Sequence, residues 1–109
     1  MTSMMASMIV AAGLMFSNIA VASVEEAIEL LDKNNCRGCH KVDGKMVGPS
    51  YTRIATKYKD NPNAMTILAD KVTKGGKGVW GRMPMPENKN ITNPREIKVM
   101  LEYIMSFAQ

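Results

Sequence analysis

Cys36-Arg37-Gly38-Cys39-His40 is the stretch that decides the fold of this 109-residue chain. It holds both cysteines and the only histidine of the sequence. Two thiols separated by two residues, with an imidazole directly after the second, form the pattern for covalent attachment of a haem. The sulfurs add to vinyl groups along one edge of the porphyrin, so they must lie about one helical turn apart. The imidazole of His40 then falls beneath the iron, for which it is a suitable ligand.

Three other interpretations of this stretch compete with haem attachment. A disulfide or a thioredoxin-like redox pair uses the same cysteine spacing, but it expects a surrounding βαβ pattern, and no run of residues predicts a strand. A zinc site needs four ligands, whereas two cysteines and one histidine supply three. A chance match would have to use every cysteine and histidine of the chain. The pattern therefore favours haem attachment.

The length and the charge of the chain limit the other classes of protein. A chain of 109 residues forms one domain at most, and its core is modest unless a buried haem enlarges it. The formal net charge is +4, from 14 Lys and Arg against 10 Asp and Glu. This mild excess argues against nucleic acid and fits a solvated surface or attraction to an acidic partner. Candidate contacts, close in sequence to the haem-bearing segments, are Arg37, Lys41, Lys45 and Arg82.

Residues 1–22 contain no charged side chain and include a long apolar run. Residues 20–22, Ala-Val-Ala, then supply the small-x-small pattern that a signal peptidase reads, so we expect export with cleavage before Ser23. An uncleaved membrane anchor is the alternative, although Ser17 and Asn18 interrupt the apolar run before it reaches the length of a membrane span. The segment lacks the usual Lys or Arg near its start, which a true start codon further upstream would explain.

Hydrophobic periodicity and capping residues predict about four short helices after this leader. Ser23 and Glu26 form a capping box that opens a helix running to about Asn34. The other predicted helices span about 51–58, 63–74 and 93–108. The buried stripe of the last helix is predicted as Ile97, Met100, Leu101, Ile104 and Ala108. Residues 23–109 are therefore predicted to form one compact all-α domain.

A haem iron bound by His40 needs a second ligand on its opposite face, and the chain has no other histidine. A methionine ligand is the arrangement that raises the potential of electron-carrying haems. Six methionines follow the leader: Met46, Met65, Met83, Met85, Met100 and Met105. Three of them lie in predicted helices, where packing explains them, and Met46 follows His40 too closely to reach the other face. The prolines on both sides of Met85 stiffen its backbone into polyproline II geometry, which favours Met85 as the second ligand. Met83 stays the other candidate.

Four short motifs together resemble those of the small bacterial class I c-type cytochromes. They are Cys36-Arg37-Gly38-Cys39-His40, Lys45-Met46-Val47-Gly48-Pro49, Gly78-Val79-Trp80-Gly81 and Pro84-Met85-Pro86. The resemblance covers essentially all of the chain from Val24 onward. It implies an all-α cytochrome c fold around one haem c, bound covalently through Cys36 and Cys39. It also implies that His40 and Met85 hold the iron.

The same resemblance implies four supporting roles around the haem. The carbonyl of Pro49 would accept the other ring N–H of His40 and fix its orientation. Asn88 would hydrogen-bond near the sulfur of the second ligand. Trp80 would pack on the haem and donate to a propionate, and Lys71 would pair with a propionate. Plain core packing is the alternative for Trp80, and a solvated helix face is the alternative for Lys71.

These features predict a monomeric periplasmic protein that carries single electrons between respiratory redox proteins. It is expected not to be an enzyme, because the protein fills both axial positions of the iron. The resemblance implies redox partners such as a terminal oxidase, a nitrite reductase or a cytochrome c peroxidase, without nucleic acid and without stable membrane insertion after cleavage. Two alternatives stay open. One is a haem enzyme or gas sensor with a labile Met85, and the other is a membrane-anchored haem subunit of a respiratory complex.

Overall fold

The computed structural model describes the backbone of residues 17–109 and the side chains of residues 24–109. Its elements, in chain order, are α1 (Ser17–Lys33), a 3₁₀ turn (Cys36–Gly38), α2 (Tyr51–Tyr58), α3 (Ala64–Lys74) and α4 (Pro94–Met105). Within these residues there is no strand, and one isolated antiparallel bridge joins Gly76 to Met85. The predicted all-α class is therefore confirmed.

The first helix begins at Ser17 and not at Ser23. In the full-length chain the small and apolar residues before Ser23 continue the helix, whereas the start predicted at Ser23 concerns the chain after cleavage and stays a prediction. Glu26, expected to belong to the cap, instead pairs with Arg95 at the start of α4, with N–O distances of 2.6 and 2.9 Å. Residues 1–16 of the predicted leader lie outside the described residues. Among the described helices, none combines the length and the hydropathy of a membrane span.

The other helices converge on α4, which packs against α1, α2 and α3. One face of α4 is buried along the helix, at the spacing that the sequence predicts. The buried residues of this face are Ile97, Met100, Leu101 and Ile104. Ala108 was expected on the same face but is exposed, because α4 ends at Met105. The other helices contribute Ala27, Leu30, Leu31, Tyr51, Ala55, Tyr58, Ala64 and Leu68 to the core.

Polar side chains fix the starts of α2 and α4. The hydroxyl of Ser50, a residue that is 3% exposed, accepts a hydrogen bond from the backbone N–H of Arg53. Asn93 accepts from two N–H groups in the first turn of α4, where Pro94 has no N–H to satisfy. Each cap ends a long loop, and both loops line the central cavity of the protein. Local capping thus determines where the two loops meet the helices.

Candidate haem site

The Cys-x-x-Cys-His stretch folds as a tight turn directly after α1. Asn35 joins the two with a left-handed backbone (φ 58°), a conformation that asparagine tolerates better than most residues. The backbone N–H groups of Cys39 and His40 both donate to the carbonyl of Cys36, at 3.2 and 3.0 Å. The two thiols are free and half-buried, and they line the same cavity as the His40 ring. The turn therefore presents two sulfurs and one imidazole to a single cavity.

Contacts within the following loop fix the orientation of the His40 ring. Its Nδ1 lies 2.7 Å from the carbonyl oxygen of Pro49. Because a carbonyl can only accept, Nδ1 carries the proton and Nε2 keeps a free lone pair. The ring also lies against Gly48, where an added Cβ would come within 2.5 Å of Cε1. Tyr51 stacks on the ring, with a centroid distance of 6.2 Å.

One cavity gathers most of the residues that the sequence predicts for the site. Seven of them line it: Cys36, Cys39, His40, Pro49, Lys71, Trp80 and Met85. The rest of the wall is mainly apolar, as expected for a cofactor site, and comes largely from inner helix faces. It includes Leu31, Leu68, Met100, Leu101 and Ile104. Asn88 does not belong to this lining.

The backbone of Met85 is held at the cavity wall. Its N–H donates to the carbonyl of Gly76 at 2.8 Å, and its carbonyl accepts from the Gly76 N–H at 3.0 Å. This antiparallel pair makes the backbone β-like at Met85, whereas the flanking prolines predicted polyproline II geometry. Met85 is half-buried, while Met83 lies at the rim of the cavity with 66% of its surface exposed. Met85 is therefore more buried than Met83, the other methionine that the sequence left as a candidate for the second ligand.

Asn88 binds the end of α3. Its Nδ2 donates to the carbonyl of Val72 at 2.7 Å, and its backbone N–H donates to the carbonyl of Thr73 at 3.0 Å. Both acceptors lie in the last turn of α3, where carbonyls lack partners within the helix. Among the described residues, the Asn88 amide makes no hydrogen bond to the Met85 sulfur. Its visible role is to fasten the loop after Met85 to α3.

Trp80 lies at the rim of the cavity, 38% exposed, next to two cations of α2. The guanidinium carbon of Arg53 is 5.1 Å from the centroid of the indole, and the ammonium of Lys57 is 5.6 Å from it. Such contacts contribute about 0.5–1 kcal/mol each at exposed sites. Sequence analysis missed this cluster, although the i,i+4 spacing of Arg53 and Lys57 places both on one face of α2.

The charged residues that line the cavity are all cations. They are Lys45, Arg53, Lys71 and Lys77, and no described Asp or Glu joins them. Two other expected docking residues, Arg37 and Lys41, instead line a second cavity beside α1, and Arg37 pairs with Asp32 at 3.1 Å. The cavity rim is therefore positive and attracts carboxylates, whether of a bound group or of a partner.

Tyr51 forms part of the cavity wall behind His40. Its ring is 3% exposed and packs between His40, Tyr103 and Phe107. Its buried hydroxyl has no hydrogen-bond partner among the described residues. Burial raises the pKa of Tyr51 to about 12. Burial also raises the pKa of the Cys36 thiol.

Known proteins match this chain over most of its length. The sequence model of the cytochrome c family matches residues 24–108. Cytochrome c-552 of Nitrosomonas europaea is 42% identical over 91 residues, which are 83% of this chain and 87% of that protein. Cytochrome c-552 of Hydrogenobacter thermophilus is 39% identical over 94 residues, 85% of this chain and 94% of that protein. The crystal structure of the wild-type N. europaea cytochrome c552 is 42% identical and superposes with a TM-score of 0.69, covering 73% of this chain and 98% of that chain.

The chain belongs to the cytochrome c family. The predicted resemblance to small class I c-type cytochromes is confirmed, and the protein is a monohaem electron carrier. It carries one haem c, bound covalently through Cys36 and Cys39. The residues present fit this group, because two free thiols at the required spacing and an imidazole with a free Nε2 share one mainly apolar cavity.

The unpartnered hydroxyl of Tyr51 leads to a first prediction. Tyr51→Phe removes a buried polar atom and keeps the aromatic packing, so the variant should be as stable as the parent at pH 7 or more stable by about 1 kcal/mol. Burial raises the pKa of Tyr51 from about 10 in the unfolded chain to about 12 in the folded protein. The part of the free energy of unfolding that depends on a neutral phenol is therefore fully present below pH 10 and is lost as the pH rises from 10 to 12. Urea unfolding of the haem-loaded protein at pH 7 and pH 11 measures both effects.

The control for this prediction is Tyr51→Leu, which removes the hydroxyl and the aromatic packing together. It should be clearly less stable than Tyr51→Phe at both pH values. A Tyr51→Phe variant that loses more than about 1 kcal/mol at pH 7 would contradict the prediction, because the hydroxyl would then make a hydrogen bond worth that much.

Proposed function

We propose that His40 and Met85 are the two axial ligands through which this cytochrome holds its haem iron. His40 presents an unprotonated Nε2 to the cavity, because its Nδ1 donates to Pro49. Met85 is a half-buried thioether that lines the same cavity. The donor set of one imidazole and one thioether suits an electron-carrying haem. The single observation that carries the proposal is the meeting of these two side chains at one cavity.

The neighbouring residues have supporting roles in this proposal. Pro49 fixes the orientation of the His40 ring through the contact with Nδ1. Trp80 and Lys71 line the cavity and bind the propionates, with the positive rim adding attraction. Asn88 stabilises the loop that carries Met85 through its bonds to α3.

Haem c supplies a centre that gains and loses one electron when bound. In this proposal His40 and Met85 would both hold the iron, so no ligand position would be left for a substrate, and we infer that the protein is not an enzyme. The apolar wall excludes water from the cavity and limits the rearrangement that accompanies each change of charge. A haem enzyme or gas sensor would instead need Met85 to leave the iron readily.

The ligand proposal predicts different outcomes for two methionine substitutions. Met85→Ala should abolish the methionine–iron absorption band, lower the reduction potential and let carbon monoxide bind the ferrous iron. Met83→Ala should keep all three properties, because the Met83 side chain is largely exposed. Optical spectra and potentiometric titration of both haem-loaded variants measure the difference. If Met83→Ala opens the iron and Met85→Ala does not, the assignment of Met85 is wrong.

The rim of the cavity is proposed as the docking surface for redox partners. Exposed apolar side chains there are Met46, Val47, Val79, Trp80 and Met83. Lys45 and Lys77 line the same cavity, so the surface combines an apolar centre with positive charge. Partners of this kind carry an acidic surface, and the candidates remain a terminal oxidase, a nitrite reductase or a cytochrome c peroxidase. The protein is proposed to meet them as a monomer.

This docking surface predicts a rate that depends on salt. Raising the ionic strength should slow electron transfer to an acidic partner, because exposed charges are screened beyond about 8 Å at physiological ionic strength. Lys45→Glu and Lys77→Glu should each lower the bimolecular rate several-fold without changing the spectrum. Lys98→Glu is the matched control, since Lys98 lies on α4 outside the cavity lining and pairs with Glu102. Equal effects of all three substitutions would contradict docking at the rim.

We also propose that residues 1–22 are a signal peptide and that residues 23–109 form the periplasmic cytochrome domain. Cleavage before Ser23 would keep the part of α1 whose side chains the structure describes, including Glu26, which pairs with Arg95, and Ala27, which is buried in the core. Ser23 and Glu26 would then stand at the start of the helix, where the capping box is effective.

Export predicts the mass of the mature protein. Protein purified from the periplasm of a host with the haem-attachment machinery should begin at Ser23 and carry one haem, as measured by intact mass spectrometry. Replacing Ala20 and Ala22 by Leu should block cleavage and leave the leader attached. A native protein that retains Met1 and stays in the membrane fraction would contradict the proposal and favour a membrane-anchored haem subunit.

A further inference from the structure

The segment that contains Met85 is attached to the rest of the protein at the end of α3. Gly76 pairs with Met85 through two backbone hydrogen bonds of 2.8 and 3.0 Å. Three residues further on, Asn88 makes two more bonds, to Val72 and Thr73. Four hydrogen bonds thus join residues 85–88 to residues 72–76. The prolines beside Met85 stiffen the segment, but these bonds determine where it lies.

Gly75 is the point of closest approach between the two segments. It ends α3 with a positive φ of 68°, and its N–H donates to the carbonyl of Lys71 at 2.9 Å. A Cβ added at Gly75 would lie 2.2 Å from the carbonyl oxygen of Met85, 2.8 Å from the carbonyl carbon of Pro86 and 2.9 Å from the nitrogen of Glu87. All three neighbours are backbone atoms, so no side-chain rotation can relieve the overlap. Any larger residue must push the Met85 segment away from α3.

We propose that Gly75 is a positioning residue for the second iron ligand: the lack of a side chain at this helix end sets how far the Met85 sulfur reaches toward the haem iron. The inference rests on the proposed ligation by Met85. A shift of the Met85 carbonyl carries the whole residue with it, because the neighbouring prolines allow little compensating rotation of the backbone. The length and strength of the iron–sulfur bond therefore depend on a residue that touches neither atom.

The chain offers a matched pair of substitutions for testing this. Gly75→Ala and Gly81→Ala both place a side chain at a positive φ (68° and 120°), so both strain the backbone. Only the Gly75 variant adds a collision with Met85, since nothing lies within 4 Å of a Cβ at Gly81, and Gly81 does not line the cavity. In full-length, haem-loaded protein, Gly75→Ala should lose most of the methionine–iron band, lower the reduction potential and bind added imidazole more tightly in the ferric state. Gly81→Ala should keep the band, potential and imidazole affinity of the parent.

A third variant keeps the test decisive if Gly75→Ala does not fold. Gly76→Ala strains the residue that pairs with Met85 (φ 139°), but its added carbon meets only the flexible Lys71 side chain, at 3.1 Å. It should weaken the band and raise imidazole affinity less than Gly75→Ala does and more than Gly81→Ala does. The inference is overturned if Gly75→Ala and Gly76→Ala both leave the band and the potential unchanged, or if Gly81→Ala changes them as much as these two variants do.

The Met85→Ala background separates this inference from the proposed ligation. If Met85 is the ligand and Gly75 acts through it, adding Gly75→Ala to Met85→Ala should change neither the potential nor the imidazole affinity further. If Met85→Ala alone keeps the band, the ligation proposal fails. If Met85→Ala loses the band while Gly75→Ala behaves like the parent, only the positioning role fails.

Discussion

The hydrogen bond from His40 Nδ1 to the carbonyl of Pro49, 2.7 Å long, is the constraint on which the rest of the site depends. It closes the loop between the Cys-x-x-Cys-His turn and α2, and it determines which ring nitrogen faces the cavity. The next residue, Ser50, caps α2, so the orientation of the imidazole and the start of the helix are fixed by adjacent backbone groups. Because α2 also carries Tyr51 and Arg53, this single loop positions the cavity wall behind His40 and one of the cations beside Trp80.

Much of the fold could be predicted from the sequence because its signals are local. Asn93 and Pro94 mark the start of α4 by hydrogen bonds within one turn, and the range predicted for the second helix coincides with α2. The start of α1 depends on whether residues 1–22 are present. In the full-length chain α1 includes Ser17, and the cap predicted at Ser23 concerns the chain after cleavage. Ala108 was misplaced because periodicity predicts a face and does not predict where the helix ends.

The site could be predicted where its residues are adjacent in sequence, and less well where they meet only in the folded chain. The conformations of the Cys-x-x-Cys-His turn and of the Gly48-Pro49 pair depend mainly on residues adjacent in sequence. Nothing in the sequence indicated that the amide of Asn88 turns to α3, or that Arg53 covers the indole of Trp80. The prolines beside Met85 predicted a stiff polyproline II segment, and the backbone at Met85 instead pairs in a β-like manner. Its β-like pairing depends on the glycines at the end of α3, which are close to it only in the folded protein.

The contacts that hold the two sides of the cavity are therefore unequal in strength. The His40 side is held by short-range contacts, including two bonds to the Cys36 carbonyl, and by covalent attachment of the haem through the neighbouring cysteines. The Met85 side has no covalent link to the haem and is held by hydrogen bonds to Gly76, which has a positive φ, and to Val72 and Thr73 in the last turn of α3. Glycine adds no packing there and increases the entropy of the unfolded segment, so this side is the easier one to open. With His40 and Met85 as the proposed iron ligands, loss of a ligand should begin at Met85, while the haem stays attached to Cys36 and Cys39.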